Sequence, residues 1–326
     1  MFIGILYTVK FYVWSSKVAN RELVQTRTYN TKPMEPIAAH LWFDTQAREA
    51  AEWYSSVIPG SRITQVNTLR DTPSGDTELV SFDLAGRRFM AISAGPLFKF
   101  NPSVSFHLRH ATSRDVDTVW NALVEGGTVL MPLGSYPFSD RFGWLADKYG
   151  VSWQVMLARP GDNTPAIAPA LMFTGKVAGR AAEAMTFYTS VFKSPPPVIH
   201  ARYGASESPD AEGTVKFATF TLRGQEFAAM DSAYPHGFAF NEAISFVVLC
   251  DSQDEIDYYW TQLSADPRAE QCGWLKDKYG LSWQITPAAM GRMLAEGDRE
   301  KLARVTQAFL QMKKFDVAAL EGAYRG

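Results

Sequence analysis

The sequence predicts an α+β protein made of two tandem domains of one kind, followed by a helical tail. Three observations carry that prediction. A thirteen-residue word, GWLADKYGVSWQV at 143–155, returns as GWLKDKYGLSWQI at 273–285. Two further words keep the same order: AAEWYSSV (50–57) matches AMTFYTSV (184–191), and FKFNPSVSFHL (98–108) matches FAFNEAISFVV (238–248). Within each copy, strand-like runs stand beside stretches of helical spacing, so both element types recur. An offset of about 130 residues is that of a duplicated domain, not of a short-period solenoid.

The chain opens on a segment unlike the rest. Residues 1–34 carry Lys10, Lys17, Arg21, Arg27 and Lys32 against the single acid Glu22. Its apolar groups, FIGILYTV and FYVW, are split by Lys10 and fall short of the roughly 20 residues that cross a bilayer. This reads as a basic leader. A mitochondrial presequence, with RTYN at 27–30 resembling a cleavage sequence, and a disordered extension ahead of Met34 both fit, so a mitochondrial and a cytoplasmic location stand side by side.

In domain 1 (35–158), HLWF reads as a strand, and Ala47, Ala50, Ala51, Tyr54 and Val57 recur along one helical face. ELVSFDL (78–84) and RRFMAIS (87–93) form a hairpin across Ala85-Gly86. SVSFHLRH is the next strand, and Val116, Val119, Trp120 and Leu123 mark a helix from Ser113 that ends at Gly126-Gly127. A last strand pair brackets Asp147-Lys148-Tyr149-Gly150, where Asp147 bonds turn backbone and Gly150 takes positive φ. Trp144 and Trp153 are expected to meet across that hairpin.

RPGDNTPAIAPA places a linker at 159–169. Domain 2 (170–287) repeats the order with TVKFATFTL, EFAAMDS and ISFVVLC, and its second helix starts at a Ser252/Glu255 capping box. The tail (288–326) carries Leu302, Val305, Phe309 and Met312 as an apolar stripe from Asp298. That stripe docks either on a domain of the same chain or on a second copy in a homodimer. Each domain is thus expected to leave one sheet face free of helices, able to curl around something.

Composition removes several functions. Lys plus Arg number 32 and Asp plus Glu 34, a net charge of −2 that offers no attraction to nucleic acid. Cys250 and Cys272 are the only cysteines, which excludes a disulfide framework and a cysteine-based zinc site. There is no GxGxxG, P-loop, HExxH or GxSxG.

FxFNxxxSF and GWLxDKYGxSWQ, in this order and twice, resemble the vicinal oxygen chelate superfamily, and within it the PhnB-like branch labelled 3-demethylubiquinone-9 3-methyltransferase. The resemblance covers both domains, and VTQAFLQMKKFDVAALEGA resembles the end of such proteins. It implies that each glyoxalase-like domain is a pair of βαβββ modules forming a cupped, mainly antiparallel sheet with a pocket inside. It often implies a divalent metal as well, held by residues of the modules' first strands and of the last strand. Carried over position by position, the last-strand ligand falls on Gln154 and Gln284, and that of the strand opening the second module falls near Ser105 and Ser245.

Side-chain alternation puts His107 on the face of Ser105, and Ser152 on that of Gln154. On the opening strand His40 is the nearest polar candidate, with Ile37 as the alternative equivalent. A metal in domain 1 would then use His40, His107 and Gln154, a set without carboxylate, and domain 2 offers no histidine at these places. The leading expectation is therefore a small-molecule pocket, metal-free or weakly metallated, holding Ser105, His107 and Gln154. A metal-assisted lyase or isomerase is the alternative. A third is a pseudo-dimer in which domain 2 only completes the shell. The methyltransferase label would require an S-adenosylmethionine site, and no glycine-rich fingerprint supports one.

Overall fold

Ala39, Leu41 and Phe43 alternate with Ala38, His40 and Trp42 along the first strand, and the alternation decides which face meets a helix. The first set joins the buried core with Ala47, Ala50 and Tyr54 of the following helix, leaving His40 and Trp42 on the helix-free face. The computed structural model describes residues 37–159, 166–296 and 298–326; the leader at 1–34 and most of the linker lie outside the described residues.

Four modules repeat the scheme. The first is β1 (Ala38–Phe43), α1 (Ala47–Val57), β2 (Arg62–Thr72), β3 (Gly75–Leu84) and β4 (Arg87–Ser93). The second is β5 (Val104–His110), α2 (Ser113–Val124), β6 (Thr128–Tyr136), β7 (Ser139–Ala146) and β8 (Ser152–Leu157). The third is β9 (Ile167–Thr174), α3 (Ala181–Val191), β10 (Val198–Arg202), β11 (Val215–Leu222) and β12 (Gln225–Ser232). The fourth has three strands: β13 (Ile244–Cys250), α4 (Gln253–Leu263), β14 (Trp274–Lys276) and β15 (Ser282–Pro287). Helices α5 (Ala288–Glu296), α6 (Arg299–Leu310) and α7 (Val317–Arg325) end the chain. β9 starts within the stretch that reads as linker, because Ile167, Ala168 and Ala170 are buried.

The modules pair into two mixed, mainly antiparallel sheets, and the pairing runs between the repeats. One sheet has the order β14-β15-β13-β1-β4-β3-β2 and joins the first module to the fourth. The other, β10-β11-β12-β9-β5-β8-β7-β6, joins the second to the third. The seams are the antiparallel pairs β1–β13 and β5–β9. Linear order does not announce this exchange, since the sequence only shows that two equivalent halves exist.

Both sheets curl away from their helices. His107 on β5 and Phe217 on β11 stand three strand steps apart, roughly 14 Å in a flat sheet. Their ring centroids are nevertheless only 6.1 Å apart. Across three steps of the other sheet, Trp274 on β14 comes within 5.6 Å of His40 on β1.

The repeated words hold the arrangement together. Asp147 is 4 % exposed; its Oδ1 accepts the amides of Tyr149 (2.9 Å) and Val151 (3.0 Å), and its Oδ2 accepts Tyr54 Oη–H (2.7 Å) and Trp153 Nε1–H (2.8 Å). Asp277 does the same with Tyr279, Leu281, Tyr188 and Trp283. Burial pushes both carboxyls above their usual range, and these donors oppose the shift. Tyr54 belongs to a helix covering one sheet while Asp147 belongs to a turn of the other, so each cluster clamps the two sheets of its repeat. Asn101 and Asn241 close local turns and also cross between repeats, Asn101 Nδ2 donating to Ala239 O (3.1 Å) and Asn241 Nδ2 to Lys99 O (2.8 Å).

One expectation is corrected. Trp144 and Trp153 do not meet across the hairpin: Trp144 is opposite Gln154 and Trp153 opposite Leu145, so the two rings lie on opposite faces. The turn register, fixed by Asp147, sends Trp153 into the core and Trp144 to the concave side.

The fourth module lacks a counterpart of β6, so β14 ends its sheet. Cys272 N–H donates to Met312 O (2.8 Å) and Gly273 N–H to Lys313 O (2.7 Å), holding the tail against the two residues that precede β14. A Cβ on Gly273 would lie 2.4 Å from Phe315 Cε2, so glycine is what lets that ring dock. The tail stripe therefore docks on its own chain. Leu294 of α5 reaches the concave face itself, packing with Leu79, Ile92 and Ala94 beside Trp42 and Met90.

Loss of one hydrogen bond to a buried carboxylate sets the expected effect of Tyr54→Phe at about 1.5–3 kcal/mol of destabilisation. Tyr188→Phe should lose a similar amount, and the double variant the sum, because the two clusters share no partner. Urea unfolding followed by tryptophan fluorescence checks both; values within the error of wild type would remove the clamp role.

Candidate functional site

The concave faces carry the polar residues that the sequence singles out, divided between the two sheets. In the sheet of β5 and β8, Ser105 lies beside Ser152 and His107 beside Gln154. Gln154 Nε2–H donates to Ser105 Oγ (2.9 Å), and Trp144 Nε1–H to Ser152 Oγ (2.8 Å). Arg109 Nη2 approaches His107 Nδ1 (3.4 Å) and forms an ion pair with Glu226 Oε1 (2.8 Å). Alanines at 168, 170 and 228 make a low floor, over which Phe217 leans between His107 and His200. His200 Nε2 in turn meets Thr219 Oγ1 (2.8 Å).

In the sheet of β1 and β13, one row runs Ser282, Ser245, His40, Met90. Gln284 Nε2–H donates to Ser245 Oγ (2.8 Å), repeating the Gln154–Ser105 bond. The tryptophan does not repeat. Trp274 turns its ring edge-on to His40 and stands 6.3 Å from Trp42, which packs on Phe98. His40 Nδ1 and Ser282 Oγ are both buried and have no hydrogen-bond partner among the described residues.

Burial holds both imidazoles neutral. Desolvation lowers His40 to about 3, and lowers His107 to about 3 with help from the Arg109 charge and against the Gln154 hydrogen bond.

The proposed ligand set is not brought together. His40 lies in one cup, His107 and Gln154 in the other, because the modules of a repeat contribute to different sheets. No group of three or more His, Cys, Asp or Glu side chains gathers among the described residues. His107 has a guanidinium beside it, and His40 has Ser245 and Met90 beside it in its row. Neither donor set suits a divalent ion, which wants several imidazoles or carboxylates, and no step is routed through one. Arg141 Nε–H donates to Asp117 Oδ1 of α2 (2.7 Å). Trp42 and Ser282 were not singled out from sequence. For Ser282 the signal was available, since it occupies the place of Ser152 in the repeated word.

Comparison with known proteins gives a family. The family model described as 3-demethylubiquinone-9 3-methyltransferase matches twice, at 35–156 and 165–286. A PhnB protein from Bacillus cereus, described as a putative 3-demethylubiquinone-9 3-methyltransferase, is 40% identical over 38% of this chain and 100% of its own, with TM-score 0.36. A point mutant of glyoxalase I from Zea mays is 10% identical over 79% of this chain and 97% of its own, TM-score 0.47. A putative dioxygenase from Bacillus subtilis is 11% identical over 90% and 97%, TM-score 0.46. No curated protein matches.

The neutral histidines make stability depend on pH. An unfolded histidine takes up a proton below about pH 6.5, whereas His40 and His107 stay neutral down to about 3, so stability falls as pH drops through that window. Between pH 6.5 and 5.5 wild type should lose about 2 kcal/mol more than the His40→Gln/His107→Gln variant. Urea midpoints at the two pH values decide it, and parallel losses would refute it.

Proposed function

Since the chain belongs to the PhnB-like 3-demethylubiquinone-9 3-methyltransferase family of the vicinal oxygen chelate superfamily, we propose that it binds an organic small molecule on a concave sheet face, without divalent-metal chemistry. One observation carries the reading: each curled sheet turns a row of buried polar side chains toward its concave side, beside Trp42 and Trp274 in one cup and beside Trp144 in the other. Soluble folds place such groups inside only where they are satisfied or where a ligand satisfies them. The family label names a methyl transfer, but the mixed, mainly antiparallel sheets lack the parallel nucleotide-binding crossover that dinucleotide-type cofactor sites are built on. The Arg109 charge beside His107, and the lack of carboxylate beside His40, support metal-free binding over a metal-assisted lyase or isomerase.

Elemental analysis after dialysis against zinc, manganese or nickel should show no stoichiometric uptake. Fragment screening by NMR should give hits whose shifts centre on Trp42 and Trp274 or on Trp144 and His107. Stoichiometric metal abolished by His107→Ala, or hits confined to the helical faces, would overturn the proposal.

A further inference from the structure

The two cups are copies with different fates, and the difference points to a ligand class. In the cup of β5 and β8, Trp144 satisfies Ser152, Gln154 satisfies Ser105, Arg109 faces His107 and Glu226, and His200 meets Thr219. Phe217 lies over the alanine floor. That cup is filled by its own side chains, and its one buried atom without a hydrogen bond among these groups, Glu226 Oε1, is ion-paired with Arg109 (2.8 Å).

In the cup of β1 and β13 the homologous tryptophan has left its serine. Trp274 stands against the His40 ring, and two buried atoms lack partners among the described residues: His40 Nδ1, in a residue 2 % exposed, and Ser282 Oγ, in one 1 % exposed. They lie in one row, two strands apart through Ser245, a separation of roughly 10 Å at ordinary strand spacing. A buried polar atom without a partner is costly, and a pair on one concave face marks a place where partners arrive with a ligand. The walls are Trp42, Trp274, Met90 and Val247, with Leu294 of the tail at one end.

Resting on the small-molecule reading above, we infer that this cup takes a flat, uncharged aromatic molecule bearing hydroxyl groups, one meeting His40 Nδ1 and another reaching toward Ser282 Oγ. Burial keeps the imidazole neutral, so no counter-charge is wanted. A hydroxyl both donates and accepts, and so suits either tautomer of His40. The edge-to-face tryptophans supply apolar surface for a ring. Trp274, which stands against His40, is only part-buried.

The full chain is titrated by calorimetry with naphthalene, 2-naphthol, 2,6-dihydroxynaphthalene and 2-naphthoate. 2-Naphthol should bind about tenfold more tightly than naphthalene, the equivalent of one hydrogen bond, with the dihydroxy compound tighter still and the carboxylate weaker than the phenol. His40→Leu should bring 2-naphthol within about twofold of naphthalene; Ser282→Ala, which removes a single oxygen and tests the inference should the leucine variant not fold, should erase the gain from the second hydroxyl. His107→Leu should leave the series unchanged. Loss of the preference in His107→Leu, its persistence in both His40→Leu and Ser282→Ala, or tightest binding of 2-naphthoate overturns the inference while small-molecule binding stands. Failure of all four probes to bind overturns the inference, while the broader proposal is decided by the fragment screen.

Discussion

Two buried carboxylates govern this architecture. Asp147 and Asp277 each accept four hydrogen bonds in a desolvated setting, and the donors come from both sides of a repeat. A charge taken out of water is tolerated only where its hydrogen-bonding capacity is met, so the surrounding groups have little freedom to move independently. The tyrosine fixes the helix over one sheet, the indole fixes the last strand of the other, and the two amides fix the turn. The polar face of that strand then follows from the register. With Asp147 anchored, Trp153 must enter the core, and Ser152 and Gln154 must face the cup.

The clamp also explains why two equivalent halves can exchange modules. Each repeat is held by its aspartate cluster, while each sheet is completed by the other repeat along β1–β13 and β5–β9. The reciprocal Asn101 and Asn241 bonds tie the repeats where these seams begin. A cup is consequently a shared product. Residues close in sequence, such as His40 and His107, are delivered to different cups, whereas His40 and Ser245, far apart in sequence, become neighbours.

Much of this could be read from the residues and some could not. Alternation and helical spacing gave β1, α1 and α2 their places, and Ala85-Gly86 does form a tight hairpin, both residues at positive φ (44° and 82°). The grouping of Ser105, His107 and Gln154 on one face followed from the two-residue period of a strand. β2 and β6 went unrecognised: both lie at sheet edges and are largely exposed, so their apolar content is too thin to register. The exchange of modules is invisible to any local pattern, because it depends on which equivalent edge a strand meets. It is also why the ligand set built from His40, His107 and Gln154 does not assemble.

The last module shows how a duplicated scaffold makes room for difference. Residues 264–272 are too few to build the strand that 125–142 builds in the first repeat, which would leave β14 as a bare edge. The tail bonds through Met312 O and Lys313 O to Cys272 and Gly273 at the start of that edge, and Phe315 uses the space left by the missing Cβ of Gly273. The same tail then sends Leu294 onto the concave side of that sheet and no other. Losing a strand in one repeat therefore does more than shorten a sheet. It recruits the C-terminal helices to one cup, so that two cups with the same backbone plan present different walls: one closed by Phe217 on an alanine floor, the other bounded by tryptophans and by a side chain borrowed from the end of the chain.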